Sequence, residues 1–130
     1  MSSNKMVWTG RILSALIAPL FAMSAVMKLI AHPKAVEGMG HLQLPAPLLF
    51  PLGVVELICL VLYLIPKTAV LGALLLTGYL GGAILTHLRL SEPILMPIGL
   101  GVVIWLGIYL REPRLRQVLP LRLAATSADK

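Results

Sequence analysis

Three ionisable side chains, Lys28, Glu56 and His87, lie within or at the edge of long apolar segments. Glu56 is the single carboxylate in residues 48–65, and it lies near the middle of that segment. A charged group at such a depth in a membrane costs a few kcal/mol, so it normally faces protein and has a partner. We therefore expect a side chain of opposite charge to lie against Glu56.

The depths of these residues favour Lys28 as that partner. With a rise of about 1.5 Å per residue, Glu56 lies about 12 Å from the outer end of its helix, Lys28 about 5 Å and His87 about 2 Å. A lysine stem of about 6 Å can bring its ammonium group towards the carboxylate. The three residues come from three different segments and are expected to converge in the outer half of the protein.

Neighbouring polar residues extend this cluster. Ser24 lies one helical turn before Lys28, and Tyr79 shares a helix face with His87. The candidate ligand-binding or proton-relay residues, none with an assigned catalytic role, are Lys28, Glu56, His87, Ser24, Tyr79 and Arg89. A purely structural interpretation stays open, in which the Lys28–Glu56 pair only fixes helix register and cancels charge.

The three histidines are the strongest candidates for metal ligands. His32, His41 and His87 are expected on the same side of the membrane, but they form no HxxxH or HExxH pattern. No metal site is therefore predicted.

The composition indicates an integral membrane protein. The 130 residues are 58% hydrophobic and 12% charged, with a mean hydropathy of +0.94. Soluble domains are about 45–50% apolar and about 25% charged, so a soluble domain of this size could not bury so much apolar surface. The single cysteine, Cys59, excludes an intrachain disulfide and a CxxC redox pair.

Four apolar segments predict an all-α bundle of four transmembrane helices in a single domain, residues 1–130. The predicted spans are about 12–31, 48–65, 69–88 and 94–110. For the first segment the alternative is a cleaved signal peptide, because a basic start and the small residues Ala22 and Ser24 resemble that pattern. The apolar run continues past this point, which favours a span.

Glycines give two further expectations. Residues 33–37 predict a short amphipathic turn at the membrane surface, which Gly38 and Gly40 break. Gly78 and Gly82 are one turn apart, a spacing that lets a neighbouring helix approach closely.

Basic residues indicate the orientation. Two or three of those near the span ends fall on one side, and seven fall on the other: Lys5, Arg11, Lys67, Arg111, Arg114, Arg116 and Arg122. The positive-inside rule then places both termini in the cytoplasm. The net charge of +6 is thus explained by topology and lipid contact, and no nucleic-acid partner is predicted. The basic tail, residues 111–130, is expected along the anionic inner leaflet, with a solvated tail as the alternative.

Three motifs resemble those of the DoxX-like family. They are the stretch from Ser24 to Leu29 with Lys28, the GxxE pattern of Gly53 and Glu56, and residues 77–83 followed by 86–89. The resemblance covers residues 10–110 and implies a bacterial four-helix protein of the inner membrane. It also implies a link to membrane oxidoreductase assemblies, including a quinone-reducing system, although many members have no assigned activity.

Two classes of function follow from this resemblance and from the polar residues. In the first, the chain is a quinone-linked membrane subunit of an oxidoreductase, in which Glu56 or His87 exchanges protons while a partner supplies electrons. In the second, it is a non-enzymatic ligand-binding, transport or assembly protein, with oligomerisation left open. The sequence contains no haem-binding pair, flavin fingerprint or redox cysteine pair, so no cofactor is assigned to the chain itself.

Overall fold

The computed structural model describes residues 3–120, which form helices and connecting turns and contain no strand. The five α-helices are α1 (Ser3–Leu29), α2 (Pro33–His41), α3 (Leu49–Leu64), α4 (Ala69–Arg89) and α5 (Leu95–Arg111). Single turns of 3₁₀ helix occur at Ala46–Leu48, Pro66–Thr68 and Leu115–Gln117.

The four long helices form an antiparallel bundle. Helix α1 packs against α3 and α5, and α4 packs against the same two helices. Within the described residues α1 and α4 are diagonal to each other and do not pack together. Arg116, which follows α5, contacts the sulfur of Met6 near the start of α1. The start of α1 and the end of α5 therefore lie at the same end of the bundle. We call this the termini end and the opposite one the α2 end.

Three helical stretches are long and apolar enough to cross a membrane: Asn4–Leu29, Ala46–Leu64 and Pro66–Arg89. Helix α5 is apolar but shorter, at 17 residues. Large apolar side chains are exposed on every long helix, among them Leu16, Ile58, Leu85 and Val102. Such a surface matches lipid on the outside of a helical bundle.

The predicted helix boundaries hold well except at the start. The last three predicted spans end within two residues of α3, α4 and α5, whereas α1 already includes Ser3 rather than beginning near residue 12. No proline or glycine interrupts residues 3–9, and the Thr9 hydroxyl donates to the Lys5 carbonyl at 2.7 Å. The helix therefore begins before the apolar segment, within the polar N-terminal residues.

Two expectations from glycines are wrong. Helix α2 runs through Gly38 and Gly40 to His41, because the Leu42 amide donates to the Gly38 carbonyl at 3.0 Å and completes its last turn. Gly78 and Gly82 do not form a packed face, since a β-carbon on either would meet no atom within 4 Å. The close approaches occur at other glycines, such as Gly72, where a β-carbon would overlap the backbone of α3.

The start of the basic tail packs on the bundle rather than extending away from it. Arg111 donates to the Tyr63 carbonyl at 2.5 Å, and Arg116 donates to the Leu110 carbonyl at 3.2 Å. Leu115 is buried. Contact with the inner leaflet stays a prediction for this segment, and Arg122 lies outside the described residues.

Candidate functional site

Lys28 and Glu56 form the expected ion pair between α1 and α3. The Lys28 ammonium nitrogen lies 2.8 Å from Glu56 Oε2. The Glu56 side chain is 3% exposed and the Lys28 side chain 19%, so the pair is largely shielded from the surroundings of the protein. A buried carboxylate with this partner avoids the cost of an isolated charge.

Two hydroxyl groups complete the arrangement around the same carboxylate oxygen. Ser24 donates to Glu56 Oε2 at 3.2 Å, and Tyr79 of α4 donates to it at 3.0 Å. Lys28 also donates to Ser24 Oγ at 2.6 Å, as their spacing of one helical turn allows. We call Ser24, Lys28, Glu56 and Tyr79 the Glu56 cluster; it joins α1, α3 and α4.

Gly53 determines how the two charged residues meet. It lies one turn before Glu56 on α3, and a β-carbon there would be 2.9 Å from Lys28 Cβ and 3.0 Å from the Ala25 carbonyl oxygen. The missing side chain therefore lets α1 approach α3 at the height of the cluster. This gives a physical reason for the Gly53 and Glu56 positions of the GxxE pattern.

A large cavity lies beside the Glu56 cluster in the half of the bundle towards the α2 end. Its volume is about 1040 Å³, and all five helices contribute to its lining. Gly78 and Gly82 line it from α4, and since they carry no side chains they leave space between α4 and the diagonal helix α1. Most of the remaining wall is apolar, and its members include Phe21, Met39, Leu52, Leu80, Met96 and Leu100.

Helix α2 borders this cavity from the end of the bundle. Lys34 and Met39 belong to the lining, and Met39 is buried. The C-terminal end of α2 contacts the connection between α4 and α5, where His41 Nε2 lies 2.5 Å from Glu92 Oε1. Neither that contact nor the role of α2 as a cavity wall was predicted from the sequence.

His87 and Arg89 stand apart from the Glu56 cluster. His87 lines the cavity, but its Nδ1 donates to the Ala83 carbonyl of its own helix at 2.6 Å. In a neutral ring this leaves Nε2 as an acceptor. Arg89 does not line the cavity; it donates to the Leu42 carbonyl at 2.8 Å, at the end of α2. Of the six predicted candidates, four form one hydrogen-bonded group, one shares their cavity and one lies outside it.

A second buried polar group lies towards the termini end. The Tyr63 hydroxyl donates to the Ile104 carbonyl at 2.8 Å and lies 3.1 Å from Ser14 Oγ. Ser14 in turn donates to the Gly10 carbonyl at 2.9 Å. Tyr63 is fully buried and its hydrogen bonds are all within the protein, so this group ties α1, α3 and α5 together and offers no site for a ligand.

The described residues contain no group of three or more His, Cys, Asp or Glu side chains placed to hold a metal ion. Cys59 is a buried free thiol within the core. Within residues 3–120, every fully buried side-chain nitrogen or oxygen has a hydrogen-bond partner. The chemistry of the site is therefore that of hydrogen bonds and one ion pair at the edge of an apolar cavity.

Comparison with known proteins identifies a family. The model of the DoxX-like family matches residues 12–107, which covers all the helices that form the cavity except parts of their ends. The comparison with curated proteins found no match, and neither did the comparison with solved structures.

Proposed function

The chain belongs to the DoxX-like family, and on that premise we propose that this membrane protein binds a small, mainly apolar molecule with a polar head group between its helices. The head group would lie against the Glu56 cluster, and the apolar body would occupy the cavity towards α2. Quinones have this shape, and they are the ligand class that we infer.

The position of the Glu56 cluster at the edge of a cavity carries this proposal. A pair that only fixed helix register would need nothing beside it except packed side chains. Here a cavity of about 1040 Å³ adjoins Glu56 and Lys28, and binding pockets for small molecules are about 300–1,000 Å³ with mostly apolar walls and a few polar groups. An intramembrane ionisable group beside such a cavity is typical of a binding or proton-transfer site.

We infer that all four long helices span the bacterial inner membrane, with both termini in the cytoplasm. Helix α5, at 17 residues, is at the lower limit of about 17–25 residues for a spanning helix. It packs along both α1 and α4, which supports a spanning role. The excess of basic residues at the termini end supports a cytoplasmic position for that end, so the cavity would open towards the outer half of the bilayer.

The inferred redox role assigns proton handling to this chain and electron transfer to a partner. His87 and Glu56 both line the cavity, so the His87 ring or the Glu56 carboxylate could exchange a proton with a bound quinone. The chain would then serve as a membrane subunit of an oxidoreductase. The ionisable groups beside the cavity and the link of other family members to oxidoreductase assemblies support this role.

Binding can be tested by thermal unfolding of the purified full-length protein in detergent, with and without a short-chain quinone. A ligand that binds only the folded protein raises its stability by about 2.7 kcal/mol at 100 times its Kd. We expect a concentration-dependent rise in the unfolding midpoint. No rise at saturating quinone would contradict the quinone assignment.

A matched pair of variants locates the binding site. Gly82→Leu places a side chain in the cavity. Gly81→Leu, one residue earlier on the same helix, places it in a separate apolar groove between α4 and α5, which Gly101 and Trp105 also line. A β-carbon meets no atom within 4 Å at either position. We expect both to fold, because each replaces a helical glycine, and only Gly82→Leu to lose the quinone response. An equal response in both variants would place the ligand elsewhere.

A further inference from the structure

We propose that the head group recognised by the Glu56 cluster is a hydroxyl group, so that the ligand is an apolar alcohol or phenol, such as the reduced form of a quinone. This inference rests on the proposed binding function and narrows it. It follows from how the hydrogen-bonding capacity of Glu56 and Lys28 is used within the protein.

One carboxylate oxygen of Glu56 accepts hydrogen bonds from the protein, and the other is available to accept one from a ligand. Among residues 3–120, the hydrogen bonds to its side chain come from Lys28, Ser24 and Tyr79, and all three end on Oε2. Among the described residues no fully buried side-chain oxygen lacks a partner, so Oε1 is accessible rather than sealed in the core. Glu56 lines the cavity and is otherwise buried, so Oε1 is reached from the cavity. An acceptor therefore faces the ligand.

Lys28 supplies the complementary donor. Its ammonium group has three hydrogens, of which two are directed to Ser24 and Glu56. The side chain is 19% exposed and belongs to the cavity lining. The third hydrogen is available to a ligand atom that approaches Glu56 Oε1. The protein thus offers one acceptor and one donor side by side.

A hydroxyl group satisfies both of these groups at once, because it donates through its hydrogen and accepts through its oxygen. A ketone or ether oxygen accepts from Lys28 but leaves Glu56 Oε1 without a donor, which is costly in a site shielded from water. An oxidised quinone is therefore expected to bind this site, but more weakly than its reduced form. An ammonium group would be repelled by Lys28, and a carboxylate or phosphate would be repelled by Glu56. The apolar wall formed by Leu52, Leu80 and Leu100 requires that the rest of the ligand be apolar.

The test compares 4-hexylphenol with its methyl ether, 4-hexylanisole, by thermal unfolding of the purified full-length protein in one detergent. The two probes have nearly the same size, but only the phenol has an O–H donor. We expect the phenol to bind at least about tenfold more tightly, because the ether leaves a buried acceptor without a hydrogen-bond donor. The ether is the more apolar probe and is taken up more strongly by micelles, so the two affinities are compared after the micelle partition of each probe has been measured and corrected for.

Two variants connect the preference to the cluster. The double variant Lys28→Met/Glu56→Leu removes both charges together and so leaves no unpaired charge, and we expect it to fold. It should bind phenol and ether equally. Ser14→Ala removes a hydrogen bond at the termini end and should keep the wild-type preference.

Each outcome has a separate meaning. Equal binding of phenol and ether by the wild-type protein overturns the hydroxyl inference while leaving a cavity that binds apolar molecules. If neither probe shifts the midpoint and no quinone does so, the proposed binding function itself fails. A phenol preference that survives in the double variant overturns the assignment to Glu56 and Lys28.

Discussion

A β-carbon placed on Gly53 would lie 2.9 Å from the β-carbon of Lys28, so the absence of a side chain at residue 53 sets how closely α1 approaches α3. The ion pair lies one helical turn further along α3, at Glu56. The geometry of the charged site therefore depends on the backbone packing of an uncharged residue. Both the packing at Gly53 and the coupling between Lys28 and Glu56 can be measured by unfolding of variants.

Replacing Gly53 with alanine should destabilise the protein by about 1–3 kcal/mol, because the new methyl group overlaps Lys28 and the Ala25 carbonyl and forces the helices apart. Gly78→Ala is the matched control. A β-carbon there meets no atom within 4 Å, and a helical glycine replaced by alanine gains up to about 1 kcal/mol. The measurement is the unfolding midpoint of both variants in the same detergent. Equal midpoints would show that Gly53 does not limit the approach of α1.

The ion pair should behave as a coupled unit. Lys28→Met and Glu56→Leu each leave one buried charge without its partner, which costs about 3–5 kcal/mol. The double variant leaves no charge, and we expect it to unfold at a higher temperature than either single variant. A double-variant cycle on unfolding free energies measures this coupling. Additive losses from the two single changes would contradict the coupling inferred from the 2.8 Å contact.

The pairing of Lys28 with Glu56 could be predicted from sequence because it follows from an energetic need. A carboxylate within an apolar span requires a partner, and few charged residues lie at a suitable height. The participation of Ser24 followed from its spacing of one helical turn from Lys28. Both arguments use only helix geometry and the scarcity of charge in the spans.

The contact between Tyr79 and Glu56 could not be predicted in the same way, because it depends on how α3 and α4 are rotated relative to each other. The same limit explains the error at Gly78 and Gly82, since small residues one turn apart look identical whether they meet a helix or a cavity. Helix α2 continues through Gly38 and Gly40 because a helical glycine costs only about 1 kcal/mol. The burial of Met39 and the hydrogen bond from the Leu42 amide to the Gly38 carbonyl stabilise the same turn. The spacing of residues along the sequence does not determine how two helices are rotated relative to each other, or whether tertiary contacts offset the cost of a helical glycine.

The buried hydroxyl of Tyr63 should stabilise the fold without affecting ligands. Tyr63→Phe removes the hydrogen bond to the Ile104 carbonyl, and we expect a loss of about 0.5–1.5 kcal/mol. Tyr109→Phe, in which the hydroxyl has no hydrogen bond among the described residues, is the control and should change stability little. The unfolding midpoint should fall only for Tyr63→Phe. The rise in the unfolding midpoint caused by a bound ligand should be the same in Tyr63→Phe and Tyr109→Phe. A lost ligand response in Tyr63→Phe would mean that this group communicates with the cavity.

The topology gives the last prediction, which applies to α3 and α5 in particular. If the termini end is cytoplasmic, cysteines introduced at Pro66 and Pro113 should be protected from a membrane-impermeant maleimide in intact cells, and cysteines at Glu37 and Ser91 should be labelled. All four positions are exposed, and the choice of two prolines at the termini end leaves every basic residue in place. Cys59 is buried, so the wild-type protein is the unlabelled control. Permeabilised cells should label all four variants, which would show that protection comes from the membrane.

Reporter fusions at Ser3 and after Lys130 test the same orientation and should both report the cytoplasm. Labelling of Pro113→Cys in intact cells would show that the 17-residue helix α5 does not cross the bilayer, and the reversed pattern at all four sites would invert the orientation of the cavity.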